Sequence, residues 1–232
     1  MIKHHTRKVA IFDIDGTIFR SSLLIEVTEA LVNEKIFPLK ARAGYAKEYK
    51  QWSEREGSYE DYIMAVVRTF LKNIKGVEHK DFSKVAERVI ALNYNKVYVY
   101  TRDLVKKLKK MNYYLLAISN SPQEMVQGFC KKLGFNKTYG RVYEVGKNNK
   151  YTGNMLYLDL ITDKSKILKR VIEKEGLTLK DSIGVGDTES DIPLLKMVEI
   201  PICINPNKNL FNVAMREGWR IVVERKDVIY KL

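Results

Sequence analysis

Residues 8–17 read Lys8-Val9-Ala10-Ile11-Phe12-Asp13-Ile14-Asp15-Gly16-Thr17. The first five form a short β-branched and aromatic run without polar alternation, which predicts a strand buried on both faces, as in a parallel sheet. The run stops abruptly at two carboxylates. If the strand geometry continues, Asp13 and Asp15 at i and i+2 point the same way, and Gly16 with Thr17 turns the chain aside. Like charges that close are costly unless a cation or a proton is shared. The end of this strand is therefore where chemistry is expected.

Beyond it the pattern turns helical. Leu24, Val27 and Leu31 repeat every three to four residues, and a polar stretch over 41–51 follows Pro38. Ser58 and Asp61 have the spacing of a capping box, opening a helix with the apolar face Tyr62, Ile63, Val66, Val67, Phe70, Leu71 and Ile74. Phe82, Val85, Ala86, Val89 and Ile90 form another such face. From residue 97 onward strands and helices alternate. A helix carries Leu104, Val105, Leu108 and Met111 on its apolar face, a strand covers 113–119, and a helix over 122–133 is closed by Gly134. A hairpin or flap is expected over 141–157, a helix ends at Gly176, and strands follow at 182–185, 200–204 and 220–223. This reads as an α/β fold: a Rossmann-like parallel-sheet core over 1–19 and 97–232, with an inserted helical-bundle cap over 20–96.

The 232 residues are 45% hydrophobic and 30% charged, with 13 Gly and 5 Pro, a composition that excludes disorder and low complexity. A chain this long buries roughly 70% of its unfolded surface without staples. Cys130 and Cys203 stand apart in apolar sequence, so a reducing, cytoplasmic setting is expected. The longest apolar run, 113–118, is far short of the roughly 20 residues that span a bilayer, and no secretory h-region follows the basic N-terminus. The formal net charge is +13, which favours acidic partners in general. Lys106, Lys107, Lys109 and Lys110 alternate with apolar residues at helical spacing, so they read as a solvated helix face rather than a nucleic-acid patch. His4, His5 and His79 lack metal-ligand spacing, and Trp52 and Trp219 read as packing residues.

Three predicted strands end in polar residues of unusual type: Asp13 with Asp15, Ser119 with Asn120, and Asp187 with Asp191. In open α/β sheets ligands bind beyond the carboxyl ends of the strands, where these endings converge. Four carboxylates there call for a hard divalent cation, and Mg²⁺ is the expected one because it accepts few carboxylates together with phosphate oxygens and water. One aspartate could then attack phosphorus while its protonated neighbour supplies the leaving oxygen with a proton. Ser119 and Lys164 would bind nonbridging phosphate oxygens. Each residue alone has a bland reading: a solvated turn for Asp13 and Asp15, a strand-end cap for Ser119, a surface lysine for Lys164 with Lys166 as competitor, and an acidic helix start for Asp187 and Asp191.

Asp13-Ile14-Asp15-Gly16-Thr17, the strand ending in Ser119, Lys164, and Gly186-Asp187-Thr188-Glu189-Ser190-Asp191 resemble, in order, the four motifs of the haloacid dehalogenase-like (HAD) phosphatases. The helical insert between the first and second motifs, Thr152-Gly153 ahead of Lys164, and Asn205-Pro206 followed by Gly218-Trp219 are similar to the phosphoserine-phosphatase-like branch. The resemblance spans the whole chain. It implies Asp13 as nucleophile and Asp15 as general acid and base. It implies Mg²⁺ held by Asp13, the main-chain carbonyl of Asp15 and Asp187, with Asp191 beside them. Ser119, the amide of Asn120 and Lys164 would hold phosphate.

Two departures stand out. Where the branch's phosphoserine enzymes carry a glutamate for the substrate ammonium, this chain has Arg20, Ser21 and Ser22, and it has Asn120 where they tend to have glycine. Arg20 and Ser22 are therefore candidate substrate contacts, and phosphoserine itself is disfavoured. The expected function is a Mg²⁺-dependent phosphatase acting on a small phosphorylated metabolite, with no membrane insertion. The alternatives are a phosphatase for nucleotide or nucleic-acid ends and a non-catalytic nucleic-acid-binding protein of the same fold.

Overall fold

The apolar run at 8–12 becomes the centre of an eight-stranded sheet in the computed structural model, which describes residues 6–232. His4 and His5 lie outside the described residues. In chain order the strands are β1 (Arg7–Phe12), β2 (Tyr114–Pro122), β3 (Lys137–Val145), β4 (Tyr151–Leu156), β5 (Leu177–Gly186), β6 (Ile200–Ile204), β7 (Arg220–Arg225) and β8 (Val228–Lys231). The helices are α1 (Leu23–Asn33), α2 (Ala46–Ser53), α3 (Tyr59–Ile74), α4 (His79–Asn93), α5 (Val99–Lys110), α6 (Gln123–Leu133), the single turn α7 (Leu158–Ile161), α8 (Lys164–Glu175), the single turn α9 (Ile192–Leu195) and α10 (Lys208–Glu217).

The sheet order is β4-β3-β2-β1-β5-β6-β7-β8. The six inner strands are parallel, and β4 and β8 close the edges antiparallel. The chain walks outward from β1 through β2 to β3, then returns to the other side of β1 with β5. That reversal puts a topological switch point between β1 and β5, where doubly wound sheets open a crevice for ligands.

Each strand shows a period of two across the sheet. Val9 and Ile11 of β1 and Leu116 and Ile118 of β2 face the layer built by α8, α9 and α10. Ala10 and Phe12, with Leu115 and Ala117, face the opposite layer. On that side one buried cluster runs without a break from the sheet through α5 and α6 into α1, α3 and α4, joining Phe12 to Leu24, Phe70 and Phe82. The segment 20–96 is helical, as its periodicity predicts, and is linked to the sheet by two crossing chains. There Arg20 N donates to Lys96 O (2.9 Å) and Tyr98 N to Ile18 O (2.9 Å).

The Ser58 cap forms as expected, its side chain accepting from Asp61 N at 3.0 Å. The flap is a hairpin of β3 and β4, but β3 begins earlier than its sequence suggests, because its first half pairs parallel with β2. Helix α10 and strand β8 are not foreshadowed by the sequence reading. Met111, expected on the apolar face of α5, is 54% exposed because the helix ends at Lys110 and the residue falls into the turn. Lys106, Lys107, Lys109 and Lys110 are exposed on α5, and Cys130 and Cys203 are buried and free.

Candidate active site

β1 delivers Asp13 to the switch point, where its amide still donates to Val185 O of β5 (2.9 Å). The chain then turns at Gly16, whose φ is +75°. A Cβ on Gly16 would stand 2.0 Å from Asp187 Oδ2, so only glycine lets the first turn approach the end of β5. Asp13 and Asp15 both reach the crevice but find different partners. Lys164 Nζ, at the start of α8, donates to Asp13 Oδ1 (2.5 Å) and to Asp191 Oδ1 (2.6 Å). Asp15 turns towards β2, where its Oδ2 accepts from Ser119 Oγ (2.6 Å) and its Oδ1 from Leu23 N (2.5 Å).

The N-terminus of α1 thus helps hold Asp15 in place. Its Ncap residue, Ser22, makes no side-chain cap. Instead Asp15 takes the Leu23 amide, and Ser121 Oγ takes the Leu24 amide at 3.0 Å. Orphan N–H groups at a helix start favour negative charge beside them. On the other side of β1, Asp191 Oδ2 accepts from the amides of Asp187 and Thr188 (3.0 and 3.3 Å), and Asp187 Oδ1 accepts from Thr17 Oγ1 (3.1 Å).

Carboxylate oxygens of Asp13, Asp187 and Asp191 lie within 4.8 Å of one another. Burial pushes the Asp13 carboxyl up to about 7; Lys164 opposes the rise, and Asp191 and Asp15 add to it. Burial and the neighbouring Asp13 and Asp191 hold Asp187 well above its ordinary value. Burial also raises Asp15, against its hydrogen bonds from Ser119 and Leu23. Burial works against the Lys164 ammonium, but Asp13 and Asp191 overcome it and keep the group charged. Two buried carboxylates and a half-buried one thus face a single ammonium, a crowding that a divalent cation would relieve by favouring the charged forms. Hard oxygen donors in that arrangement suit Mg²⁺.

The Asp15 carboxylate is turned away from the cluster of Asp13, Asp187 and Asp191 and towards Ser119, so of Asp15 the main-chain carbonyl is what stays a candidate metal ligand. Asp13, Asp15, Ser22, Asn120, Lys164 and Asp187 line one cavity of about 330 Å³, roofed by Tyr59, Ile63, Met64 and Val67 of α3. Ser119 and Asp191 lie beneath it, 0% and 1% exposed. Arg20 does not line this cavity. It borders a larger neighbouring cleft with Arg55, Trp52 and Lys208, its guanidinium over the Tyr98 ring at 5.7 Å. Sequence reasoning missed Ser121, Arg141 and the α3 roof. Ser121 alternates with Ser119 along β2 and could have been found that way, whereas Arg141 joins the cavity only through the register of β3.

The family profile of the haloacid dehalogenase-like hydrolases matches residues 10–196, the span that holds every residue of this cavity. The chain belongs to that family. Among curated relatives of this HAD chain, the phosphoserine phosphatase SerB1 of Mycobacterium tuberculosis is 26% identical over 216 residues, covering 91% of this chain and 69% of that one. The histidinol-phosphatase of Neisseria meningitidis is 22% identical, covering 93% and 98%. Among solved structures, a Bordetella pertussis protein of unknown function superposes with a TM-score of 0.72 at 20% identity, covering 93% of this chain and 98% of that one. A phospho-aspartyl intermediate analogue of phosphoserine phosphatase superposes at 0.63 with 22% identity, covering 96% and 95%. The fold is that of the phosphoserine-phosphatase-like branch, as the order of the motifs implies.

Proposed function

We propose that this HAD phosphatase hydrolyses a small phosphomonoester through a phosphoryl group carried on Asp13, with the helices of 20–96 as its cap. The observation that carries the reading is the division of labour between the two aspartates of the first motif. Asp13 sits in the carboxylate trio against Lys164, while Asp15 is held apart, its two oxygens accepting from Ser119 and Leu23.

In the first half-reaction an Asp13 carboxylate oxygen forms a bond to phosphorus, and the bond from phosphorus to the ester oxygen breaks. Asp15, set apart from the trio and from Lys164, gives a proton to the departing oxygen. In the second half a water attacks phosphorus, Asp15 takes the proton back, and the bond to Asp13 breaks. Asp13, Asp187 and Asp191 would hold Mg²⁺, which when bound would neutralise charge on the phosphoryl oxygens. Lys164 keeps a positive charge beside Asp13 through both halves. Ser119 orients Asp15 directly, so its role is to aim the acid; the main-chain amide of Asn120 is left as the phosphate donor on β2. The modest volume of the cavity, about 330 Å³, favours a compact substrate over a polynucleotide end.

The test is hydrolysis of an aryl phosphate with and without Mg²⁺, by the wild type and Asp13→Asn. Activity that needs the metal and vanishes in D13N is expected. Equal rates without the metal, or an active D13N, would overturn the mechanism.

A further inference from the structure

Two cations line the catalytic cavity, Lys164 and Arg141, and the reaction above has no use for the second. It stands on β3, opposite Pro122 of β2, where the pairing of the two strands shifts register. Gly140 makes that approach possible, since a Cβ there would lie 2.7 Å from Gln123 Cα and 2.8 Å from Ser121 O. The guanidinium reaches the cavity wall beside Asn120. Nη2 donates to Asn120 Oδ1 at 3.3 Å, and Nη1 lies 4.0 Å from Met155 Sδ. Nε is shut off from solvent and has no acceptor. Among the described residues no carboxylate pairs with it, although four aspartates stand around the same crevice.

Position across the sheet assigns it a side. The carboxylate trio extends from β1 towards β5, which carries Asp187. Asp15, the proton donor to the departing oxygen, is turned the other way, towards Ser119 on β2. The leaving group therefore lies over β2, and β3 is the next strand out, two strand spacings, or about 10 Å, from β1. A guanidinium there faces the organic part of the substrate rather than the phosphoryl group over Asp13. It presents a planar fork suited to carboxylate or phosphate oxygens. From α3 the cavity is lined by Ile63, Met64 and Val67, which offer apolar contact, and by Tyr59 and Glu60.

We propose that Arg141 is a specificity-determining residue that binds a second anionic group on the leaving-group side, so that the preferred substrates are compact phosphomonoesters that also bear a carboxylate or a second phosphate. The proposal rests on the phosphatase reading above. Its test is a set of matched pairs under saturating Mg²⁺: phosphoglycolate against ethyl phosphate, phospholactate against isopropyl phosphate, and ethanediol bisphosphate against ethyl phosphate. The wild type is expected to favour at least one anionic class by about tenfold or more in kcat/KM, the scale of a charge-assisted hydrogen bond. The class it favours, carboxylate or phosphate, identifies the second anion. In Arg141→Gln the ratio should collapse towards one, mainly through KM, and Arg141→Lys should restore part of it. The proposal is overturned if the wild type shows no preference while Mg²⁺-dependent aryl phosphate hydrolysis stands, a comparison that needs no variant to fold. It is equally overturned if R141Q lowers both members of each pair alike, which would make Arg141 a contact of the transferred group or of the fold. A wild type inert towards every phosphomonoester, aryl phosphate included, overturns both readings.

Discussion

Single residues around the crevice do separable jobs, and their separation can be measured. Ser119 Oγ contacts Asp15 and the Ser121 amide beneath the cavity floor, so Ser119→Ala should misaim Asp15, the proposed proton donor. The expected loss is about 10–100-fold in kcat with little change in KM, within the range of general acid catalysis. A rise in KM at unchanged kcat would instead make Ser119 a ground-state phosphate contact. Gly16→Ala should be harsher, because its Cβ collides with Asp187 at a φ that side chains rarely adopt. Loss of Mg²⁺-induced stabilisation in calorimetry is the expected readout, and a wild-type response would show that the turn can give way. The acidic and lysine residues of the crevice were legible in the sequence because motif order fixes them. Arg141 and the α3 roof were not, because nothing local to Gly140-Arg141 says that β3 slips against β2; Arg20 lines the adjoining cleft, which shares Asp187 and Thr188 with the cavity.

At the scale of elements, the strands that carry the chemistry were readable because each is a dense apolar run buried on both faces. Strand β8, with Val228, Ile229 and Tyr230 exposed, has no such run and is recruited by its antiparallel pairing with β7. Its place depends on a partner rather than on its own composition. The same logic couples α3 to β3. Phe70 is fully buried and meets Phe37, Phe82 and Tyr143 at ring-centroid distances of 5.8, 6.2 and 5.1 Å. Phe70→Ala should cost about 3–5 kcal/mol of stability in denaturant titration. A loss below about 1 kcal/mol would mean that α3 is only loosely seated. Since Tyr143 is two residues from Arg141, the variant should also blunt any discrimination among substrates.

For the whole molecule, metal, protons and folding are linked. The Asp13 carboxyl is raised to about 7 from an ordinary 3.8, so the folded, metal-free chain binds a proton there that the unfolded chain releases. That contribution to stability is present at low pH and is lost as pH rises through about 7. Mg²⁺ bound at the proposed site would displace the same proton, so its stabilising effect should grow with pH. At a hundredfold excess over Kd it should reach about 2.7 kcal/mol, roughly 5–10 °C in Tm for a domain of this size. Thermal melts at pH 6 and pH 8, with and without the ion, check this. A larger gain at pH 6 would contradict the burial of the trio.

The unbroken cluster from Phe12 to Phe70 and Phe82 also bears on how such an enzyme can be altered. Excising residues 20–96, or exchanging them for another protein's, would strip the buried faces of α1, α3 and α4 from that cluster and uncover the apolar sides of α5 and α6 that they pack against. The helices over the cavity can therefore be altered safely only by substitutions made in place, because they are also part of the interior that keeps the rest folded.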